Sequence, residues 1–243
     1  MKKQRRSVKA IALLAVAALL FAGGGFMATR AALNIYSPEH FLDFDTANQA
    51  VAVVENGTAV SGTDSLLKNL DGKIVPGKTY DEALAAQNNS DVNQLVRIVV
   101  RKYWRDADGN KMTDIEEKDG KYPELDVIKL EFVKDGKWQE NPEETTAERK
   151  VFYYKEAVKP DKGVNITDPL TTKLTVDGSI AESFTVSGPD DKGVITYAYE
   201  YDGRQVCIEA EAQSIQTHSA QEAVRSIWGV TNVTATETSL KVN

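Results

Sequence analysis

Two alternating runs joined by a turn signal decide the fold class: Val194-Ile-Thr-Tyr-Ala-Tyr-Glu-Tyr201, then Asp202-Gly203, then Arg204-Gln-Val-Cys-Ile-Glu-Ala-Glu-Ala212. In the second run Val206, Ile208 and the two following alanines share one face, whereas the glutamates share the other. This alternation is typical of a half-buried antiparallel strand. Asp-Gly accepts the positive φ angles of a type I′ turn. The stretch therefore predicts a β-hairpin.

The same alternation recurs over most of the chain. It is clearest in Val96–Trp104 and Ile128–Phe132, and it returns in Val151–Tyr154 and Lys173–Val176. About nine or ten strands are expected, enough for two packed sheets. The predicted fold is all-β, an antiparallel β-sandwich with long surface loops. The polar, acidic stretch Trp138–Arg149 is expected to be one of these loops.

Two stretches depart from the strand pattern. Tyr80–Gln87 has helical propensity, and Ser219–Gly229 carries the signals of a complete helix. Ser219 with Glu222 predicts a capping box, and Gly229 predicts a left-handed helix end. The apolar stripe consists of Ala223, Val224, Ile227 and Trp228. We expect this stripe to make the helix a lid over one end of the sandwich.

The N-terminus predicts export. Residues 1–9 are basic and precede an apolar run of about 13 residues, Ala10–Ala22, which is short for a membrane span. Small residues then place a signal cleavage site between Ala31 and Ala32, so residues 1–31 are the signal peptide and 32–243 a single mature domain. The alternative is an uncleaved N-terminal anchor, because Gly23–Gly25 and the residues after them could lengthen the apolar stretch.

The net charge limits the classes of binding partner, and the cysteine content limits the role of thiol chemistry. Loss of residues 1–31 removes six basic and no acidic residues and moves the net charge from -7 to -13. Such an acidic surface disfavours nucleic acid and anionic membranes as partners, which leaves cations, basic proteins or wall polymers. Cys207 is the only cysteine, so no intramolecular disulfide can form, and we expect this thiol to lie in a strand without a catalytic role.

One acidic stretch has the oxygen spacing of a calcium loop. Its candidate ligands are Asp106, Asp108, Asn110, Asp114 and Glu117. Lys111 stands where such a loop requires glycine, and the preceding segment is strand-like instead of helical. An acidic Asp-Gly hairpin turn is therefore the stronger interpretation, and no other cofactor is expected.

The sequence offers no catalytic constellation. Its two histidines, His40 and His218, are far apart and lack the His-Glu-x-x-His spacing of zinc peptidases. Neither Cys207 nor any serine lies in a recognisable nucleophile motif. A non-enzymatic protein is predicted.

Several segments together resemble the TasA and camelysin family of Gram-positive bacteria. They are the signal with its Gly-Gly-Gly, Ile74–Lys78 with Asn88–Asp91, the Val-Arg-rich Leu95–Trp104, Phe152–Pro160 with Thr167–Leu170, and Ile208–Gln213 leading to Ile227–Gly229. The resemblance implies a jelly-roll-like sandwich, with Tyr80–Gln87 as a strand. It also implies release by a dedicated signal peptidase and, in fibre-forming members, assembly of biofilm matrix fibres in which one subunit's N-terminal strand joins the next subunit.

Transferred to this chain, the resemblance places the donor within residues 32–48. Its apolar residues would be Leu33, Ile35, Tyr36, Phe41, Leu42 and Phe44, with Pro38 dividing them into two blocks. The leading hypothesis is a secreted cell-surface or matrix subunit whose expected partners are copies of itself and cell-wall or matrix components. The alternatives are a camelysin-like secreted metallopeptidase and a wall-binding or calcium-dependent adhesin.

Overall fold

The computed structural model of the chain describes residues 50–60, 66, 75–182, 184–187 and 196–243. Antiparallel strands dominate it, which confirms the predicted all-β class. The strands are β1 (Val51–Glu55), β2 (Thr58–Ala59), β3 (Thr79–Asp81), β4 (Leu84–Asn88), β5 (Gln94–Arg105), β6 (Ile128–Phe132), β7 (Trp138–Glu140), β8 (Arg149–Tyr154), β9 (Thr171–Val176), β10 (Phe184–Ser187), β11 (Thr196–Tyr199), β12 (Gln205–Gln216), β13 (Val233–Ala235) and β14 (Leu240–Val242).

Helical segments are short. They are the α-helices α1 (Pro123–Asp126) and α2 (Ala220–Ala223), a π-helical turn over Val224–Trp228 that continues α2, and 3-10 turns at Pro142–Glu144 and Gly178–Ala181. Within the described part of the chain, none of these helices has the length and apolar character needed to cross a membrane.

A four-stranded sheet in the order β12-β5-β8-β7 forms the centre of the fold. β5 and β12 are paired along their whole length, from Gln94 opposite Gln216 to Arg105 opposite Gln205. β-branched residues favour this pleated conformation, and β5 presents valine and isoleucine to both of its faces. Leu95, Val96 and Ile98 are all fully buried. The central sheet is therefore covered on both sides.

The layer on the first side consists of two three-stranded sheets, β2-β1-β4 and β3-β9-β6. Residues 165–171 run along the outer edge of β4 and connect the two sheets. Leu170 N–H bonds to Leu84 O at 2.6 Å, and the Thr167 hydroxyl accepts the Ala86 N–H at 2.9 Å. The two sheets thus form one continuous layer opposite the central sheet.

The main core lies between this layer and the central sheet. It contains Val51, Val53, Leu84, Ala86, Val96, Ile98, Val100, Trp104, Leu125, Ile128, Trp138, Phe152, Tyr154, Val158, Leu170, Leu174 and Ile208. Two sheets that bury their facing side chains in this way make a β-sandwich. The jelly-roll order of strands implied by the resemblance stays a prediction.

A second core covers the other side of the central sheet. Leu95, Val99, Val151 and Tyr153 of β5 and β8 contact α2, the π-helical turn and the β13–β14 hairpin. The Trp228 and Tyr153 rings meet edge to face, with their centroids 5.5 Å apart. The helical segment therefore lies against the outer face of the sheet, and the predicted lid over one end of the sandwich is wrong.

The predicted helix exists, but its details differ. Ser219 adopts φ 52° and its side chain caps no backbone group, so the capping box does not form. Gly229 ends the segment at φ 70°, as predicted. Ala220, Val224 and Trp228 are buried, whereas Ile227 is 45% exposed. A π-helical turn bonds i to i+5 and takes more than four residues per turn, so positions four apart stay on one side.

The predicted hairpin is also wrong. The Asp-Gly turn forms, with Gly203 at φ 74° and Arg204 N–H bonded to Tyr201 O at 3.2 Å. Its two arms nevertheless belong to different sheets, since β11 pairs with β10 and β12 pairs with β5. Residues 194–195 of the predicted first arm lie outside the described residues. Alternation indicates a strand, but it does not identify the partner.

Two further stretches correct the sequence analysis. For Tyr80–Gln87, propensity favoured a helix and the resemblance a strand, and the stretch forms β3 and β4, because Tyr80 pairs with Leu174 and Leu84 packs into the core. Trp138–Arg149 is not simply a surface loop: it contains β7 and a 3-10 turn, and Trp138 and Asn141 are buried.

Candidate functional site

The predicted export and assembly residues lie outside the described residues. These are the cleavage pair Ala31 and Ala32, the donor residues Leu33, Ile35, Tyr36, Phe41, Leu42 and Phe44, and His40. The signal peptide, its cleavage and the donor segment therefore stay predictions.

The structure does not bring the calcium candidates together. Asp106 Oδ1 accepts the backbone N–H groups of Asp108 at 3.0 Å and Asn110 at 2.8 Å, and Gly109 adopts φ 85°. These bonds, led by that from Asn110, lower the pKa of Asp106. Glu117 instead accepts the Tyr122 hydroxyl at 3.1 Å. The stretch is an Asx-type turn, and among the described residues no three His, Cys, Asp or Glu are grouped to hold a metal ion.

His218 and Cys207 occupy separate, unremarkable positions. His218 is exposed just before α2. Cys207 is a free, half-buried thiol in β12, and burial raises its pKa. A raised pKa keeps a thiol protonated and weakly nucleophilic.

The feature best suited to interaction is the free edge of β6. This strand pairs with β9 alone among the described strands. Asp177 N–H bonds to Val127 O at 2.8 Å, and backbone groups of alternate residues in an antiparallel strand point to opposite sides. The backbone groups of Ile128 and Leu130 therefore point away from β9, toward an edge on which no described strand lies.

A groove of about 290 Å³ lies between this edge and the central sheet. Its apolar lining is contributed by Val100, Ile128, Leu130, Phe132 and Ala147. The Phe132 ring stacks on Phe152 of β8 at a centroid distance of 4.6 Å, which fixes one end of the groove.

Three lysines and two acids give the groove its charge: Lys102, Lys129, Lys150, Asp126 and Glu148. Lys150 Nζ bonds to Glu140 at 2.6 Å and lies 5.6 Å from the Phe132 ring centroid. Lys129 pairs with Asp177, and this hydrogen bond lowers the pKa of Asp177 to about 2. The groove thus presents three lysines, of which Lys129 and Lys150 are already paired with acids at its margin.

Lys102 closes part of the open edge. Its ammonium group donates to Leu125 O at 2.7 Å and to Ile128 O at 2.9 Å. Burial lowers its pKa, although Asp126 acts in the opposite direction. The Lys102 side chain therefore already bonds to the Ile128 carbonyl oxygen, which an added strand would need as an acceptor.

The edge of β12 differs from that of β6. No described strand pairs with the outer side of β12, but this strand carries Glu209 and Glu211. Glu211 pairs with Arg101 at 3.3 Å, and Glu209 accepts the Tyr103 hydroxyl. Charged side chains on an edge strand oppose the addition of a further strand, and β6 also carries two, Lys129 and Glu131. The apolar groove beside β6 is therefore what distinguishes its edge.

Sequence reasoning found β6 but missed the groove. The alternation of Ile128, Leu130 and Phe132 identified the strand and its buried face. That β6 ends its sheet, and that Lys102 and Lys150 come from two other strands to face it, depends on long-range pairing. Only the recurrence of lysine on the strands gave any signal.

No protein-family model, curated protein or solved structure matches this chain. The assignment of function therefore depends on the described residues and on the sequence.

Proposed function

We propose that the protein is a secreted structural subunit of the cell surface or extracellular matrix, without enzymatic activity, that assembles by strand addition. The donor is residues 32–45 of one copy, and the acceptor is the free edge of β6 in the next. The observation that carries the proposal is the outer edge of β6, which no described strand covers and which lies beside an apolar, lysine-lined groove.

The donor sequence has the pattern that this groove requires. In Phe41-Leu-Asp-Phe-Asp45, Leu42 and Phe44 share one face of an extended strand, and Asp43 and Asp45 share the other. The first pair would contact Leu130 and Phe132, and the carboxylates would approach the lysines. The five residues span about 17 Å, the length of five-residue β6.

Strand addition would also satisfy the backbone of the edge. A new strand would donate N–H groups to the carbonyls of Ile128 and Leu130, and these bonds supply affinity that does not depend on side chains. Lys102 would leave the Ile128 carbonyl and become free to pair with a donor aspartate. The block Leu33–Tyr36, beyond Pro38, would contact the acceptor separately.

The first test compares assembly of the mature chain, residues 32–243, with that of a chain lacking residues 32–45. Light scattering and electron microscopy should show filaments for the first and monomers for the second. The double variant Leu42→Asp/Phe44→Asp should behave like the truncation. Ile227→Asp, which changes an exposed apolar residue on the opposite side of the central sheet, should assemble normally.

Binding of a peptide of residues 32–45 shows whether the truncated chain fails to assemble because it lacks the donor or because it does not fold. The truncated chain keeps the acceptor, so it should bind this peptide in calorimetry and should lose binding when the peptide carries both aspartates. A monomeric mature chain together with a peptide that does not bind would contradict the proposal.

A further inference from the structure

Two glutamates are buried next to each other in the layer that faces the central sheet. Glu55 ends β1 and is 6% exposed, and Glu82 lies between β3 and β4 and is 2% exposed. Their side chains hydrogen-bond to each other. Because ionised carboxylates only accept hydrogen bonds, this contact needs a proton on one of the two groups.

The backbone holds the pair in place from both sides. Glu82 N–H bonds to Thr172 O at 3.0 Å, and Glu82 O accepts the Thr171 hydroxyl at 2.5 Å. On the other side, the Asn56 side chain accepts the Ala83 N–H at 2.9 Å. These bonds fix the backbone next to the pair, where β1, the β3–β4 bend and β9 meet.

Among the described residues, no cation pairs with Glu82. Glu82 Oε1 is buried and has no hydrogen-bond partner. The charged residues on the neighbouring strands are Asp81 of β3 and Lys173 of β9. They lie opposite each other in the sheet, and both are exposed. Thr171 and Thr172 are uncharged, and Glu55 is the charged group that acts on Glu82.

We propose that Glu55 and Glu82 form a proton-binding latch, which is closed when the pair shares one proton and is weakened when both carboxylates are ionised. The latch joins the two sheets of the layer opposite the central sheet, at the bend where β3 leads into β4. It is independent of the proposed assembly and concerns the subunit itself.

The direction of the pH dependence follows from the pKa of Glu82. Burial, with the charge and the hydrogen bond of Glu55, raises this pKa from 4.5 to about 8. Below pH 4.5 the group is protonated in both states. Between these values only the folded protein holds the proton, so stability falls as the pH rises, and the unfolding constant grows by up to about tenfold per pH unit. Above pH 8 the loss is complete.

The test is urea unfolding of the mature chain at pH 5 to 9, at concentrations where it is monomeric. Glu82→Gln keeps the shape of the protonated acid and cannot ionise. Wild type and variant should have similar unfolding constants at pH 5, and the wild type should become progressively less stable than the variant up to pH 8. Glu237→Gln, an exposed glutamate in the β13–β14 turn, should follow the wild type.

Hydrogen exchange locates the effect. At pH 8.5 the amides of Leu84–Asn88 should exchange faster in the wild type than in Glu82→Gln, while those of Val96–Val100 should be equal. If Glu82→Gln fails to fold, Glu55→Gln provides the second variant. It removes the neighbouring charge but leaves Glu82 buried, so the fall in stability should begin at the same pH and end at a lower pH than in the wild type. Parallel pH curves for wild type and variant would overturn the proposal, and so would restoration of stability by calcium at pH 8.5, which would indicate a metal site.

Discussion

Arg97 is a buried cation on the outer face of the central sheet, and its guanidinium connects several side chains there. Arg97 is 4% exposed, and its Nε donates to Gln213 at 2.7 Å while Nη1 donates to the Tyr153 hydroxyl at 2.9 Å and to Glu144 at 3.2 Å. Its guanidinium also lies 4.9 Å from the Trp228 ring centroid. A charge buried this deeply is stable only when its partners are complete.

Arg97→Met should destabilise the protein by about 3–5 kcal/mol, because it leaves the half-buried carboxylate of Glu144 without its closest cation. Urea unfolding measures this loss. Arg101→Met is the matched control on the same face of β5: its single pair with Glu211 is part-exposed, so we expect a cost below about 1 kcal/mol. Equal costs for the two variants would show that Arg97 acts only through its hydrocarbon stem.

At the level of elements, the turns are better defined by the sequence than the pairings are. Gly203 has φ 74°, and a Cβ added there would lie 3.2 Å from Ala107 Cβ. Gly57 has φ 84° in the β1–β2 turn with open space around it. Both positions need glycine, but only Gly203 also faces a neighbouring loop.

Gly203→Ala should therefore cost more than Gly57→Ala. The backbone conformation alone disfavours alanine by about 1 kcal/mol at either site, and the contact with Ala107 adds to this at Gly203. Thermal unfolding of the two variants gives the comparison. If Gly57→Ala were the more destabilising, the packing of the Asp106–Asn110 turn against Gly203 would be disproved.

These elements also show how far the sequence predicts the fold. Alternation located β5, β6, β8, β9 and β12, and Gly229 was identified as the end of a helix. The partners of β11 and β12 were not predictable, because alternating residues would bury their apolar face equally well against several neighbours. At Tyr80–Gln87 the local propensity for a helix did not decide the structure, because the packing of Leu84 and Ala86 in the core outweighs it.

The candidate site was less predictable than the fold. The groove combines β5, β6 and β8, which are distant in sequence, and the Glu55–Glu82 pair joins residues that look like ordinary surface glutamates. A charged residue in an alternating strand is normally solvent-facing. Glu82 is buried at the bend between β3 and β4, and no pattern in the sequence predicts that bend.

At the scale of the whole molecule, charge should control assembly. In the proposed assembly the chain of residues 32–243 is strongly acidic, so copies would repel one another except where Asp43 and Asp45 would meet the lysines of the groove. Lys150→Glu should raise the concentration needed for assembly by about tenfold, roughly 1.4 kcal/mol. Sedimentation of polymer over a concentration series measures this change.

Lys241→Glu is the control, because this exposed lysine of β14 lies outside the groove and alters the net charge equally. It should assemble nearly as the wild type does. An equal effect of the two variants would mean that general repulsion, instead of contact with the groove, governs assembly.

The long β5–β12 pair, in which β5 is buried on both faces, has a mechanical consequence. Tension applied along these strands loads their hydrogen bonds in shear, since the bonds of an antiparallel ladder run perpendicular to the strand axis. Bonds loaded in this way must yield together, whereas bonds pulled from one end open one after another. The centre of the fold should therefore resist stretching, and under force the short edge strands should unfold before the central sheet does.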